Sequence, residues 1–153
     1  MLKKFVFAGF STLLVLCVVA MPVTARAVPV HVAANGEWVD SGFDVEVGET
    51  YSFKTNGKVR TIYPPSLLTG PEGQIYICSN DNEDGPDGEA LTCALDGAPF
   101  GALIGKIGDE GESFLIGDDI SFEAEVDGRL YLAINDYEGT YFDNYCGFTV
   151  IFK

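Results

Sequence analysis

The chain has 153 residues, and its 23 acidic residues outnumber its 9 basic ones, which gives a formal net charge of −14 at pH 7. A charge of this sign argues against binding to nucleic acid or to an anionic lipid surface, since both carry phosphates. Hydrophobic residues make up 47% of the sequence, so the chain is not a disordered acidic tail and can bury a core.

Residues 1–27 have the features of a secretory signal peptide. Two lysines precede the apolar run from Phe5 to Val19, and Ala25-Arg26-Ala27 is a small-x-small cleavage pattern. The run is short for a membrane-spanning helix, which makes a membrane anchor the weaker alternative. We therefore expect residues 28–153 to form a single secreted or periplasmic domain that does not insert into a membrane. Cleavage would remove three positive charges and no acid, and would lower the net charge from −14 to −17.

The rest of the sequence alternates between apolar and polar residues and shows almost no helical periodicity. Alternation runs from Phe43 to Val47 and again from Tyr51 to Thr55, after which Asn56-Gly57 predicts a hairpin turn. Further strands are predicted at Gln74–Cys78, Ala102–Ile107, Ser121–Val126, Leu130–Ile134 and Gly147–Phe152, with a hairpin turn at Asp127-Gly128. Short strands at close spacing with glycine-rich turns predict an all-β fold, a small jelly-roll-type β-sandwich of two antiparallel sheets.

Three cysteines follow the predicted signal peptide, and export would permit a disulfide. Cys78 and Cys93 flank one acidic loop and form the favoured pair. Cys146 could instead pair with either of them or stay free, and the sequence does not decide between these alternatives.

The acidic loop between the first two of these cysteines, residues 79–89, has a partial calcium-loop pattern. Asn80, Asn82, Asp84 and Gly85 fit the start of an EF-hand loop, but Leu91 stands where the closing glutamate would be. A solvated loop is the favoured interpretation, and a second calcium site remains an alternative.

Residues suited to catalysis are scarce. The one histidine, His31, lies close to the new N-terminus with no nucleophile pattern beside it. The chain has no glycine-rich phosphate loop and no zinc-type spacing of cysteine and histidine. We therefore predict that the protein is not an enzyme.

The loop between the last two predicted strands concentrates oxygen ligands. Asp136, Asp143 and Asn144 offer side-chain oxygens and Thr140 offers its carbonyl, which is the donor set that calcium prefers. Spacing alone leaves two equal alternatives, a calcium site or a solvated turn, because such a loop cannot bury its charges cheaply.

Two sequence patterns, present in the same order, resemble a known family. Residues 101–108 match the pattern GALxxKIG and residues 135–147 match NDxxGTYxxNxxG. Residues 36–45 are similar to an opening strand of the form W-x-D-T-G-x-x-V. With these motifs the chain resembles the PA-IL-like galactose-binding lectin superfamily of bacteria, most closely over residues 100–153.

The resemblance implies a small jelly-roll β-sandwich with one calcium ion, which the vicinal hydroxyls of a sugar coordinate directly. Carried over by motif, the metal ligands are the side chains of Asp136, Asp143 and Asn144 and the carbonyls of Thr140 and Tyr63. The implied carbohydrate contacts are Asp136, Tyr137, Thr140 and Asp143. The function implied is that of a secreted, calcium-dependent carbohydrate-binding protein.

The chain departs from the family pattern in two places. Asp143 stands where the family's galactose-specific lectin has asparagine. Gly85-Pro86-Asp87-Gly88 stands where that lectin holds its sugar with a histidine and a glutamine. These changes speak against a simple transfer of galactose specificity, because a few oriented polar groups set sugar choice.

The sequence leaves further alternatives open. The domain could be a structural or adhesive β-sandwich in which calcium only rigidifies the loop. The sequence does not determine the oligomeric state, and a homo-oligomer is one of the alternatives. The aromatic residues of the terminal loop could stack on a sugar or belong to the core; they are Tyr137, Tyr141, Phe142 and Tyr145.

Overall fold

The computed structural model describes residues 28–61, 67–80, 90–118 and 121–153. The predicted signal peptide, residues 1–27, therefore lies outside the described residues. Within the described ranges, no helix is long and apolar enough to cross a membrane.

The described residues form nine strands and one short 3-10 helix. The strands are β1 (Val30–Ala33), β2 (Val39–Val45), β3 (Thr50–Arg60), β4 (Leu68–Thr69), β5 (Leu103–Ile107), β6 (Ser113–Leu115), β7 (Ser121–Glu123), β8 (Gly128–Ile134) and β9 (Tyr145–Phe152). The 3-10 helix, Tyr141–Asp143, lies between β8 and β9.

The strands make two antiparallel sheets that face each other. The first sheet has the order β1-β9-β3-β4, with β7 paired to the start of β3, and the second has the order β2-β8-β5-β6. This arrangement confirms the predicted all-β sandwich.

Alternate residues of the inner strands point between the sheets and form the core. The largest fully buried side chains include Phe53, Leu103, Ile116, Leu130, Leu132, Ile134 and Phe148.

The hairpin predicted at Asn56-Gly57 is wrong. β3 runs straight through these residues and pairs with β9, with Asn56 opposite Thr149 and Gly57 opposite Phe148. Gly57 has a φ of 123°, and a Cβ at this position would lie 2.4 Å from the carbonyl oxygen of Gly147. The glycine is therefore required by the close approach of the β9 backbone, and not by a turn.

Two other predicted elements differ from the structure. Gln74–Cys78 is not a regular strand, although its backbone bonds to residues 98–100 and Ile77 forms an isolated bridge with Pro99. Asp127-Gly128 is not the turn of a hairpin, because β7 pairs with β3 in the first sheet while β8 belongs to the second. This turn carries the chain from one sheet to the other.

The predicted disulfide between Cys78 and Cys93 is present, with a Cα–Cα distance of 5.9 Å, and Cys146 is free and exposed. The disulfide lies in a second, smaller hydrophobic cluster with Phe100 and Tyr137. This cluster packs the disulfide against Tyr137, near the start of the loop between β8 and β9.

Candidate functional site

The candidate site is the β8–β9 loop, residues 135–144. β8 is an inner strand of the second sheet and β9 is an inner strand of the first, so the loop crosses from one sheet to the other at one end of the sandwich. β1 reaches the same end, where the amide of Ala34 donates to the carbonyl of Cys146 at 2.9 Å. The oxygen-rich sequence is therefore held between two sheets.

Asn135 anchors the beginning of the β8–β9 loop. Its side chain is fully buried: Oδ1 accepts from the amide of Leu95 at 2.8 Å, and Nδ2 donates to the carbonyls of Leu95, Ala98 and Pro99 at 3.1–3.2 Å. Its main-chain groups bond to residues 101 and 102. Both the amide group and the oxygen of this fully buried side chain bond to the protein, which makes Asn135 a positioning residue for the loop.

Asp136 presents a carboxylate that is only 4% exposed. Oδ1 accepts from the amide of Tyr137 and Oδ2 accepts from Nδ2 of Asn144, both at 2.8 Å. Burial raises the pKa of this carboxyl, and the bonds from Asn144 and Tyr137 lower it in part, while the nearby charge of Asp143 raises it further. Among the described residues, no basic side chain forms an ion pair with Asp136.

Asn144 lies beside this carboxylate and is 3% exposed. Its Nδ2 donates both to Oδ2 of Asp136 and to the carbonyl of Ala34, at 2.8 and 3.2 Å. These two acceptors fix the orientation of the amide. They leave Oδ1 buried without a hydrogen-bond partner in the described structure. A buried oxygen without a donor is costly unless a cation or water meets it.

Thr140 and Asp143 lie at the two ends of the turn that leads to Asn144. The Thr140 hydroxyl donates to the carbonyl of Tyr137 at 2.8 Å, which closes the turn from Glu138 onward. The Thr140 carbonyl receives only a long contact, 3.5 Å, from the amide of Asp143, and so retains capacity to accept or to coordinate. Asp143 is half-buried and ends the 3-10 helix.

The structure thus brings together four of the five predicted metal ligands, Asp136, Thr140, Asp143 and Asn144. Asp143 and Thr140 both lie near enough to Asp136 to shift the pKa of its carboxyl. The fifth, Tyr63, lies outside the described residues. Within the described ranges, no group of three or more His, Cys, Asp or Glu residues converges, so this site would depend on amide and carbonyl oxygens as much as on its two carboxylates.

The aromatic residues of this region divide into two classes. Tyr137 and Tyr141 are buried, and the ring of Tyr137 lies edge-on to Phe100 with centroids 5.2 Å apart. Burial raises the pKa of the Tyr141 hydroxyl, with smaller contributions from the charges of Glu138 and Asp136. Phe142 and Tyr145 are exposed. The burial of Tyr137 favours the core interpretation of its ring, and the sugar contact predicted for this residue stays a prediction.

The described end of the second acidic loop has a structural role. Oδ1 of Asn80 accepts from the amide of Cys93 at 2.7 Å, and the amide of Asn80 donates to Oδ1 of Asp96 at 3.0 Å. Residues 81–89 lie outside the described residues, so the alternative of a second calcium site there stays a prediction.

The sequence interpretation missed the role of Asn135 and that of the segment it holds. Residues 94–101 form main-chain or side-chain hydrogen bonds with this asparagine, and the amide of Ala94 donates to the carbonyl of Asp136. The available signal was the position of an asparagine directly after a buried strand. Its partners lie 36–40 residues away, at a distance that no local pattern indicates.

Comparisons with known proteins support the fold. No protein-family model matches the chain, and no curated protein matches it. Eight chains of solved structures do match. One of them is the N-terminal domain of EclA, a PllA-like lectin: it is 24% identical, with a TM-score of 0.57, and the match covers 83% of this chain and 96% of that one. At this identity the likeness establishes a shared fold, and it agrees at that level with the lectin resemblance of the sequence.

Proposed function

We propose that this protein is a calcium-dependent carbohydrate-binding domain in which the β8–β9 loop holds the ion and sugar hydroxyls complete its coordination. The observation that carries the proposal is the pair formed by Asp136 and Asn144. Within the described part of the chain, a buried carboxylate without an ion-pair partner adjoins a buried amide oxygen without a donor. Burial of both groups is costly, because the described residues supply no cation to the carboxylate and no donor to the amide oxygen.

A calcium ion would resolve both costs. Calcium binds six to eight oxygens, drawn from carboxylates, amide side chains and backbone carbonyls. Asp136, Asp143 and Asn144 would supply side-chain oxygens, and Thr140 would supply its carbonyl. Tyr63, outside the described residues, would add a second carbonyl.

The bound ion would attract two neighbouring sugar hydroxyls in place of water. The carboxylates of Asp136 and Asp143 would accept hydrogen bonds from those hydroxyls, which are polarised by the cation. The fold shared with a PllA-like lectin supports a carbohydrate as the ligand. The strongly acidic composition suits a cation with a neutral ligand better than a nucleic acid or an anionic lipid.

Isothermal titration calorimetry with calcium chloride tests the metal site. The wild type, Asp136→Asn, Asp143→Asn and the distant Asp40→Asn are each first treated with EDTA. We expect binding in the wild type and in Asp40→Asn, and none in Asp136→Asn. Asp143→Asn keeps an oxygen ligand and leaves the buried central carboxylate of Asp136 in place, so it should retain calcium. Absence of binding to the wild type at millimolar calcium would refute the proposal.

A glycan array read with calcium and with EDTA tests the second half of the proposal. Binding that EDTA abolishes and that Asp136→Asn lacks is the expected result. If calcium raises the melting temperature but no glycan binds, the domain is instead a structural or adhesive sandwich in which calcium only rigidifies the loop.

A further inference from the structure

We infer that a cleft at the flank of the sandwich, distant from the candidate calcium site, is a second ligand site that takes a small organic cation with an apolar body. The cleft has a volume of about 520 Å³ and lies between β6 and β7. It is called the flank cleft below, and three apolar and three acidic side chains define it: Ile107, Phe114, Phe122, Glu112, Glu123 and Glu125. This site is independent of the proposed function.

The flank cleft exists because β6 and β7 follow each other in the chain but belong to different sheets. β6 is the outermost strand of the second sheet, and β7 pairs with the start of β3 in the first. Phe114 of β6 and Phe122 of β7 meet across this gap, with ring centroids 5.0 Å apart and an angle of 40° between the planes. Both rings also pack against the main core. The floor of the cleft is therefore apolar and is held by both sheets.

The rim of the flank cleft is acidic. Glu112 directly precedes β6, Glu123 is the last residue of β7, and Glu125 follows two positions later. All three are exposed, and no basic residue in the described part of the chain forms an ion pair with them. Lys106, on the neighbouring strand β5, lies over the ring of Trp38. The charge of the rim is therefore not balanced by the described residues.

An apolar floor under an acidic rim matches a ligand with two different parts. Carboxylates beside a low-dielectric surface focus a negative potential, which attracts a cation. The aromatic floor adds apolar contact with the body of a ligand and a cation–π contribution to its charge. A volume of about 520 Å³ lies in the usual range for small-molecule sites, so a ring system with an ammonium group fits.

Two other occupants fit the flank cleft less well. Within the described ranges, no group of three or more His, Cys, Asp or Glu residues converges on a point that could hold a metal ion. The glutamates surround the cleft instead, which favours an extended organic cation over a bare ion. A second copy of this chain carries the same net charge of −14, and would bring further negative charge to an acidic rim.

The flank cleft and the candidate calcium site lie toward opposite ends of β8. Ile107 pairs with Leu130, near the start of that strand, whereas Asp136 follows its last residue, Ile134. The strand itself is about 20 Å long at about 3.3 Å for each residue. A ligand in the flank cleft would therefore not touch the β8–β9 loop.

Calorimetry at low salt, with EDTA present, tests the flank cleft with three indoles that share one ring system: tryptamine, indole-3-ethanol and indole-3-propionate. Tryptamine is protonated at pH 7 like other primary amines. We expect tryptamine to bind about tenfold more tightly than the alcohol, as one cation that meets partly screened carboxylates would, and the propionate to bind most weakly. Sodium chloride at about 0.5 M should reduce the preference to less than about threefold.

The charge preference should depend on the rim, and the binding of the ring on the floor. Glu123→Gln combined with Glu125→Gln should lower tryptamine affinity about tenfold, to that of the alcohol, and leave the alcohol unchanged. Glu37→Gln combined with Glu72→Gln is the matched control, because both are exposed, neither lines the cleft, and the net charge changes equally. This control should keep the preference. Phe114→Leu retains an apolar side chain and should weaken tryptamine and the alcohol alike.

Several results would overturn the flank cleft as a cation site. These are equal affinity for the three indoles, binding of none of them, a preference that survives in the rim variant, or one that the control variant loses equally. A dimer in sedimentation velocity that Phe114→Leu dissociates would assign the cleft to a second copy, and that also overturns it. None of these results alters the calcium titration of the β8–β9 loop, so failure here is distinct from failure of the proposed function.

Discussion

The acidic residues at the two ends of β8 lie in opposite environments. At the start of the strand, Arg129 donates to Asp44 at 2.7 Å and to Asp40 at 3.3 Å; the two carboxylates remain largely in water and the Arg129 side chain is half-buried. At the other end, Asp136 is buried beside an amide, without an ion-pair partner among the described residues. Exposed ion pairs add little to stability, because water screens them and their side chains lose entropy.

The two ends differ in whether their polar groups are satisfied by the protein itself. In the exposed cluster, Arg129 pairs with both carboxylates, so no ligand is required to balance their charge. The buried cluster has an amide oxygen that receives no donor from the described residues, and a carboxylate whose pKa is raised chiefly by burial. Such unsatisfied groups concentrate at binding sites, where a ligand completes them.

Among the substitutions that test this contrast, removal of the buried Asn135 side chain should have the largest effect on the free energy of unfolding. Asn135→Ala deletes four side-chain hydrogen bonds and leaves the amide and the carbonyl of Leu95 without this partner, while the carbonyls of Ala98 and Pro99 keep their main-chain donors. At about 1 kcal/mol for each bond, we expect a loss of about 4 kcal/mol in the free energy of unfolding, measured by urea denaturation.

Asn56→Ala is the matched control for this measurement, because Asn56 is exposed on β3. It should change the free energy of unfolding by less than about 0.5 kcal/mol. Equal losses in the two variants would show that burial of the loop's polar groups does not distinguish this end of the molecule.

The second effect concerns calcium. At a free calcium concentration 100 times the dissociation constant, the wild type should gain about 2.7 kcal/mol of stability over its EDTA-treated form. Asp136→Asn should show none of this gain, because a neutral amide replaces the central carboxylate. Thermal denaturation with and without calcium measures both values. A similar gain in the variant would place the ion elsewhere.

A smaller effect is expected on the outer face of the second sheet, where Nζ of Lys106 lies 4.7 Å from the centre of the Trp38 ring. Lys106→Met keeps most of the apolar stem and removes the charge. The cation–π contact should contribute about 0.5–1 kcal/mol to the free energy of unfolding. Lys54→Met, at an exposed position of β3, provides the comparison; equal losses would assign the effect to net charge alone.

The smallest effect is expected at the exposed ion pair itself. Arg129→Met should leave the denaturation midpoint unchanged within the error of the fit, and high salt should not alter that result. A loss as large as that of Asn135→Ala would reverse the contrast between the two ends of β8.

The sequence predicted much of the fold because alternation and burial coincide in the inner strands. β5, β8 and β9 fall where apolar residues alternate or cluster, and the spacing of Cys78 and Cys93 around one loop indicated their disulfide. The turn predicted at Asn56-Gly57 is wrong, because pairing of β3 with β9 along its length outweighs the local turn preference of these two residues.

The candidate site was predictable only in its ligands. Asp136, Thr140, Asp143 and Asn144 are close in sequence, so their proximity follows from one short loop. The anchoring of that loop by Asn135, and the bond from Asn144 to Ala34 across 110 positions, depend on tertiary contacts. The sorting of its aromatics into buried and exposed pairs likewise follows from packing that no local pattern encodes.

The crossing of the β8–β9 loop between sheets has a consequence for motion. β8 and β9 are inner strands of different sheets, and Asn144 also bonds to Ala34, the residue that follows β1. A ligand held by this loop would therefore restrain both layers at once. Amide hydrogen exchange should slow in strands of both sheets together, as one cooperative opening unit, and not only in the residues that touch the ion.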